Sequence, residues 1–317
     1  MPLIRQSFFS SSLSAIIDYM IKLIATDLDG TLFYPKNKIT GIPTSNRRFL
    51  RKYLHDGGKL LLISGRNPKI LPKIERQLHH SVAMIGCNGG YYIDENKKLH
   101  NPLPMDRDKL CELFAYTHKV FGPWVWMVFD QTDVLYNNTS MVPKWVDHVF
   151  KIGNRFRGFF AETLVGDDGD FVNKIATQDC FKVMVCLGLK QDGRIKSEQA
   201  ATALRKRFND YFEFAVSETV IEITAKGVNK GNSLIKYCSD NDIDINDVAV
   251  CGDSGNDLYM FARFPHTFAM DHSPEHFKSQ ANHIIEKVSD VARYVNDPSL
   301  LEKDVIREIN YEKALDI

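Results

Sequence analysis

Ile21-Lys22-Leu23-Ile24-Ala25-Thr26-Asp27-Leu28-Asp29-Gly30-Thr31 is the stretch on which the fold turns. A short apolar, β-favouring run ends abruptly in an acidic turn, which is how a strand buried on both faces of a parallel sheet reads in sequence. The same pattern recurs downstream. Phe49, Leu50, Tyr53 and Leu54 recur at helical spacing and predict a helix over residues 43–56, stopped by Gly57-Gly58. Lys59–Ile63 reads as a second buried strand, ending at Ser64-Gly65-Arg66. Pro68 opens a helix to about Leu78, and Val82–Ile85 is a third apolar run, closed by Cys87-Asn88-Gly89-Gly90. Strands and helices alternating across short connections predict an α/β fold with a doubly wound, Rossmann-like parallel sheet.

The alternation then changes. From Tyr91 to about Ser217 short strands (Trp124–Phe129, Lys182–Leu187, Phe212–Ser217) mix with helices (Arg107–Lys119, Ser197–Phe208). Turns such as Gly166-Asp167-Asp168-Gly169-Asp170 separate them, and the pattern predicts an inserted α+β domain. The parallel pattern resumes with a helix over Gly231–Cys238, a strand over Val248–Cys251 and a helix over Asp257–Phe264. Leu300–Ala314 reads as a last, charged helix. The division is therefore a core of 20–89 and 218–295, an insert of 90–217 and a helical tail of 296–317. Residues 1–19 lack the apolar core of a secretory signal and the arginines of a transit peptide. They read as a poorly packed extension ahead of Met20, the expected natural start.

Composition narrows the functional classes. Forty basic and forty acidic residues cancel to zero formal charge, without the basic excess of a nucleic-acid binder. No run of apolar residues is long enough to span a bilayer. The six cysteines form no C-x-x-C pair, which reads as reduced thiols in a cytoplasmic setting and excludes a zinc site. Nothing in the sequence speaks to oligomeric state.

In an open parallel sheet, ligands gather at the carboxyl ends of the strands. Asp27 and Asp29, at i and i+2 on a chain leaving a strand, can face one site. Gly30 permits the sharp turn, and Thr31 offers a hydroxyl and an amide to an anion. A turn with solvated acids is the usual fate of an isolated D-x-D. The full D-x-D-G-T string, however, arises by chance with a probability on the order of 0.002 in a chain of this length. Ser64, beside a helix start, is a ready phosphate contact or an ordinary N-cap. Asp253 and Asp257, in Gly252-Asp253-Ser254-Gly255-Asn256-Asp257, suit a hard cation such as Mg²⁺, or an N-capped helix with acids favouring its dipole. Lys230 opens a helix, where a cation is mildly unfavourable without an anion nearby.

Together, D-x-D-G-T, the Ser at the second strand end, the Lys and the G-D-x-x-N-D string resemble the haloacid dehalogenase (HAD) superfamily of phosphohydrolases. The insertion after Asn88-Gly89 resembles the α+β cap of its Cof-type branch (type IIB cap), and the likeness covers about residues 20–295. The resemblance implies Asp27 as nucleophile, forming an aspartyl-phosphate, and Asp29 as general acid and base. It implies Mg²⁺ held by Asp27, the backbone carbonyl of Asp29 and Asp253, with Asp257 supporting the ion through water. Ser64 and Lys230 would clamp the phosphoryl oxygens, with Thr31 and Asn256 as weaker phosphate or orienting contacts. The expected activity is a Mg²⁺-dependent phosphatase acting on a sugar phosphate, nucleotide or pyridoxal phosphate. A phosphotransferase or phosphomutase of the same fold is the alternative, and a ligand-binding regulator would have no need of a paired nucleophile and acid. Trp124, Trp126, Phe129 and Tyr136 could stack on an aromatic substrate, although aromatics at strand spacing more often fill a core.

Overall fold

The computed structural model describes residues 21–35, 41–138, 163–166, 170–188, 190–217 and 219–309. In chain order the strands are β1 (Leu23–Thr26), β2 (Lys59–Ile63), β3 (Ala83–Gly86), β4 (Tyr91–Ile93) and β5 (Leu99–His100). Then come β6 (Val125–Phe129), β7 (Asp133–Asn138), β8 (Thr163–Gly166), β9 (Lys182–Cys186), β10 (Phe212–Ser217) and β11 (Val220–Ala225). The last are β12 (Val248–Gly252), β13 (His266–Met270) and β14 (His283–Ile285). They form an eight-stranded sheet, β14-β13-β12-β1-β2-β3-β4-β5, and a six-stranded one, β10-β11-β9-β6-β7-β8. No helix among the described residues is long and apolar enough to cross a membrane.

The larger sheet is parallel from β14 to β3 and covered on both faces, which is why its strands read as unbroken apolar runs. On one face Ile24, Leu62, Ala249 and Phe268 pack with Leu50 and Tyr53 of the helix Thr44–His55 and with Ile74 and Leu78 of the helix Leu71–Leu78. On the other, Leu23, Ala25, Ile63 and Val250 pack with Leu234 and Tyr237 of the helix Lys230–Asp240 and with Leu258 and Phe261. The fold class expected from the strand–helix alternation is therefore the one observed.

The smaller sheet is amphipathic in a different sense. Its outer face, with Trp126, Val128, Val183, Val185, Ile221 and Ile223, is sealed by the helices Arg107–Phe121, Phe171–Thr177 and Lys190–Phe208. Its inner face carries Met127, Phe129, Val134 and Tyr136, which pack on Cys87, Tyr91 and Phe181 where the two sheets meet. Trp126, Phe129 and Tyr136 are thus packing residues, and only Trp124 keeps partial exposure.

Three expectations are corrected. Residues 90–100 do not open the insert: β4 pairs antiparallel with β3, β5 pairs antiparallel with β4, and both extend the core sheet. At the far end, β11 pairs with β10 and β9, so residues 220–225 belong to the second sheet rather than the core. Finally, the helix expected over Leu300–Ala314 is not formed in its described part. Pro298–Leu301 is a short 3-10 turn, and residues 304–309 have no regular structure. That segment is instead bonded to its neighbours: Asp304 accepts from His266 and His283, Asn282 donates to the Val305 carbonyl, and Arg307 donates to Asn282. Residues 1–19 with Met20, the turn residues 167–169 and the tail beyond 309 lie outside the described residues.

Candidate active site

β1 and β12 are parallel neighbours, with Thr26 in register with Cys251, so both carboxyl ends open on one edge of the sheet. The Asp27 amide donates to the Cys251 carbonyl at 3.0 Å, which extends the pairing by one residue and fixes where the Asp27 side chain starts. A tight turn over Leu28–Leu32 follows, with Gly30 at φ +89°. A Cβ at Gly30 would overlap the Asp253 carboxylate, so glycine is required there for its conformation and for its lack of bulk.

Across this edge Asp27, Asp253 and Asp257 bring carboxylate oxygens within 4.8 Å of one another. Lys230 enters the group from the start of its helix, where the Asn229 side chain accepts from the Asn232 amide and caps the first turn. Its ammonium donates to Asp27 Oδ1 at 2.7 Å and to Asp257 Oδ1 at 2.6 Å, with the lysine only 2% exposed. The other Asp257 oxygen accepts the amides of Asp253 at 2.9 Å and Ser254 at 3.1 Å. Asp257 is therefore engaged in holding the loop and the lysine.

Electrostatics follow from this crowding. Burial pushes the Asp27 carboxyl well above its usual range. Lys230 opposes that rise, while Asp257, Asp253 and Asp29 add to it. Burial likewise raises Asp253, to about 7, with the charge of Asp257 adding and the Thr31 hydrogen bond and Lys230 opposing. Burial would lower the Lys230 ammonium, but Asp257 and Asp27 overcome it and hold it above the ordinary lysine value. A set of hard carboxylate oxygens whose ionised forms repel one another fits a divalent cation of the Mg²⁺ type.

The remaining predicted residues separate. Asp29 lies outside the carboxylate trio, and its side chain is gripped by Arg66, which donates through Nε at 2.6 Å and a terminal nitrogen at 2.8 Å. Ser64 directly follows β2, is 2% exposed and accepts the Arg66 amide at 3.2 Å. Of the two parts expected of Thr31, phosphate contact or orienting contact, the geometry displays the second: fully buried, its hydroxyl donates to Asp253 Oδ1 at 2.6 Å. The turn at Gly30, which lies against the Asp253 carboxylate, leads directly into Thr31. Asn256 accepts from the Ser254 hydroxyl at 3.2 Å and lines a cavity beside Lys230.

Sequence reasoning gave no role to four residues that reach this edge. Arg66 holds Asp29, while Asn88, Lys182 and Glu222 form a polar cluster beside Ser64. Lys182 Nζ donates to the Gly65 carbonyl at 3.3 Å and to Glu222 at 3.1 Å, and Asn88 Nδ2 donates to Glu222 at 2.6 Å. A signal existed: Lys182 opens an otherwise apolar strand, and Glu222 alternates with Ile221 and Ile223. A charge on the inner face of a strand is expensive unless paired, so each marked a polar contact with the core.

Known proteins share this framework. Residues 24–294 match the haloacid dehalogenase-like hydrolase family. The chain is 25% identical over 270 residues to 5-amino-6-(5-phospho-D-ribitylamino)uracil phosphatase YcsE of Bacillus subtilis (strain 168), spanning 85% of this chain and 91% of that one. It is 23% identical over 272 residues to pyridoxal phosphate phosphatase YbhA of Escherichia coli (strain K12), spanning 83% and 93%. Among solved structures, the HAD subclass IIB sugar phosphatase BT4131 shares the fold at a TM-score of 0.67 and 16% identity, covering 87% of this chain and 99% of that one.

Proposed function

The chain belongs to the haloacid dehalogenase-like hydrolase family, in its Cof-type branch, and is a phosphoric monoester hydrolase; from that premise we propose a Mg²⁺-dependent phosphatase of small phosphorylated metabolites working through Asp27. The observation that carries the reading is the Lys230 ammonium bridging Asp27 and Asp257 beside Asp253. A nucleophilic carboxylate, a fixed cation and a second acidic loop meet at one sheet edge.

The residues divide the reaction as follows. An Asp27 oxygen attacks phosphorus, the bond to the leaving oxygen breaks, and Asp29 supplies the proton that oxygen needs. Water then attacks the aspartyl-phosphate, Asp29 takes the proton, and phosphate and free Asp27 result. Lys230 and Ser64 hold the phosphoryl oxygens, while Thr31 keeps Asp253 in place. Asp27, the Asp29 carbonyl and Asp253 would hold Mg²⁺, with Asp257 behind them. Bound there, the ion supplies positive charge that offsets the repulsion between phosphate and carboxylate. The named relatives are phosphatases of 5-amino-6-(5-phospho-D-ribitylamino)uracil and of pyridoxal phosphate, and the sugar phosphate, nucleotide or pyridoxal phosphate class is proposed for this chain. All six cysteines are free, which supports a reducing, cytoplasmic setting.

Asp27→Asn tests the reading. The variant is expected to keep its fold by circular dichroism and to lose turnover of p-nitrophenyl phosphate with Mg²⁺. Residual turnover within tenfold of the parent, insensitive to EDTA, would falsify the assignment of Asp27.

A further inference from the structure

The chemistry described above gives Arg66 no part, yet its guanidinium takes both oxygens of Asp29. Nε donates to Oδ2 at 2.6 Å and a terminal nitrogen donates to Oδ1 at 2.8 Å. Two donors side by side in one plane fix a carboxylate in place and in rotation, which a single ammonium does not. The two ends of the pair are unequally held. The Arg66 side chain is 13% exposed and that of Asp29 is 52% exposed. The backbone of Arg66 is also bonded at both of its polar groups: its amide donates to Ser64 Oγ at 3.2 Å, and its carbonyl accepts the Cys87 amide at 2.9 Å. The preceding carbonyl, of Gly65, accepts from Lys182 at 3.3 Å. Arg66 is therefore the anchored end, and Asp29 is the end that is placed.

From this we infer that Arg66 is a positioning residue for the proton transfers: its fork holds the Asp29 carboxyl where the leaving oxygen departs. The inference rests on the reading of Asp29 as general acid and base, and deepens it. Charge is one argument. Asp29 stands two residues from Asp27, on the edge where Asp27, Asp253 and Asp257 bring carboxylate oxygens within 4.8 Å of one another. An ionised Asp29 is repelled by that trio, and with half of its side chain in solvent it has room to swing away. Lys230 does not oppose the drift, because its ammonium is committed to Asp27 and Asp257. Hydrogen-bonding capacity is the other argument. A carboxylate has about four lone-pair sites and the fork uses two of them, so each oxygen keeps one site on which to carry or take a proton. A guanidinium does not give up its own proton in a protein, so Arg66 acts through Asp29. In the first half-reaction an Asp27 oxygen bonds to phosphorus, the bond to the leaving oxygen breaks, and the Asp29 proton passes to that oxygen. In the second, the proton lost by the attacking water returns to Asp29.

Position supports the assignment. Arg66 lies two residues after Ser64, so the proposed phosphate contact and the anchor of the acid share one short loop. The Ser64 oxygen accepts the Arg66 amide, which leaves its hydroxyl hydrogen to donate to a phosphoryl oxygen. The loop is closed at its far end by Asn67, whose side chain accepts the Lys69 amide at 3.2 Å and caps the turn Pro68–Ile70. Phosphate and acid are thus set in register by the same few bonded residues.

The test compares p-nitrophenyl phosphate with phenyl phosphate, esters built on the same ring, in full-length protein with Mg²⁺. Phenolate, whose acid has the ordinary phenol value of about 10, gains from a proton as it departs, whereas nitrophenolate leaves well without one. Because kcat/KM covers the steps through departure of the leaving group, the ratio of the two values reads the contribution of the acid. In Arg66→Gln the ratio of p-nitrophenyl to phenyl phosphate should rise over that of wild type by about 30-fold, since a misplaced catalytic group costs up to ~10²-fold. Arg66→Lys restores the charge without the fork and should recover only part of the wild-type ratio; it gives the same readout if the glutamine variant folds poorly. Full recovery in Arg66→Lys would assign the effect to charge alone and overturn the fork. Asp29→Asn removes the acid itself and should raise the ratio at least as far as Arg66→Gln. A structural role for Arg66 would lower both esters alike, so an unchanged ratio in Arg66→Gln beside a raised one in Asp29→Asn overturns the inference and leaves the phosphatase reading standing. An unchanged ratio in Asp29→Asn overturns the assignment of Asp29 as acid, and the positioning role falls with it. Failure of wild-type protein to hydrolyse even p-nitrophenyl phosphate overturns the phosphatase reading and this inference together.

Discussion

At the residue scale the site is a balance of buried charges, and Lys230 is where it is most exposed to test. The lysine lies between two carboxylates and is 2% exposed. Lys230→Ala is expected to lower kcat by about 10²–10³, the effect of removing one preorganised charge-stabilising contact. It should also lower the melting temperature, because breaking a buried pair leaves uncompensated carboxylates facing each other. Rate and thermal-unfolding measurements on the same preparation check both. Asp253 sets a pH dependence. With its carboxyl pushed up to about 7, the metal-free protein carries a proton there that a carboxylate in the unfolded chain has lost. Between the ordinary carboxylate value and about 7 the folded state therefore binds the extra proton, and stability of the metal-free protein falls as pH rises through that window. A cation must displace the proton, so Mg²⁺ affinity should drop as pH falls below about 7, with more protons released per ion at pH 6 than at pH 8. Calorimetric titration in two buffers of different ionisation enthalpy measures this. Equal affinity and no proton release at both pH values would remove Asp253 from the ion site.

At the scale of elements, one glycine shows how packing places the lysine. A Cβ at Gly231 would overlap the backbone carbonyl of Tyr259, so the helix Lys230–Asp240 approaches the helix Leu258–Phe261 more closely than any side chain allows. Gly231→Ala should cost about 1–3 kcal/mol of stability by overpacking, and it should also impair turnover, because Lys230 and Asp257 sit at the facing ends of these segments. Denaturant unfolding and rate assays report the two effects; lost stability with intact turnover would show that the lysine is placed by something else. The helices and central strands were legible in the sequence because β1, β2, β3 and β12 are unbroken apolar runs bounded by turn residues. β4, β5 and β14 have two or three residues each, too few for any periodicity, and their pairing is set by the sheet they join. The tail failed for a related reason: Leu300–Ala314 has helix-favouring composition, but Asp304 and Val305 are engaged by His266, His283 and Asn282, contacts invisible to local pattern.

At the scale of the whole molecule, the break in strand–helix alternation was enough to reveal an insertion, but not how it docks. Motif spacing likewise brought Asp27, Lys230, Asp253 and Asp257 together on paper, whereas the direction of the Thr31 hydroxyl and the roles of Lys182 and Glu222 depend on which face of the second sheet meets the core. That meeting surface is testable. Each sheet has apolar layers of its own, and a separate cluster of Cys87, Tyr91, Met127, Phe129, Val134, Tyr136 and Phe181 joins them. Phe181 is fully buried there, edge-on to Tyr91 with ring centroids 4.7 Å apart. Polar bonds add to the joint: Lys69 to Asp133 at 2.5 Å, and Lys182 to the Gly65 carbonyl. Phe181→Ala removes the central ring and should cost about 3–5 kcal/mol. Because neither layer depends on that ring, the loss should fall on docking rather than on the core sheet. Scanning calorimetry is expected to show the unfolding transition splitting in two. Since Asp27, Asp253 and Asp257 all stand on the larger sheet, added Mg²⁺ should then raise only the transition of that sheet. One transition, lowered by the substitution and still shifted as a whole by Mg²⁺, would mean that the two sheets unfold as one unit, and that the joint is part of the core.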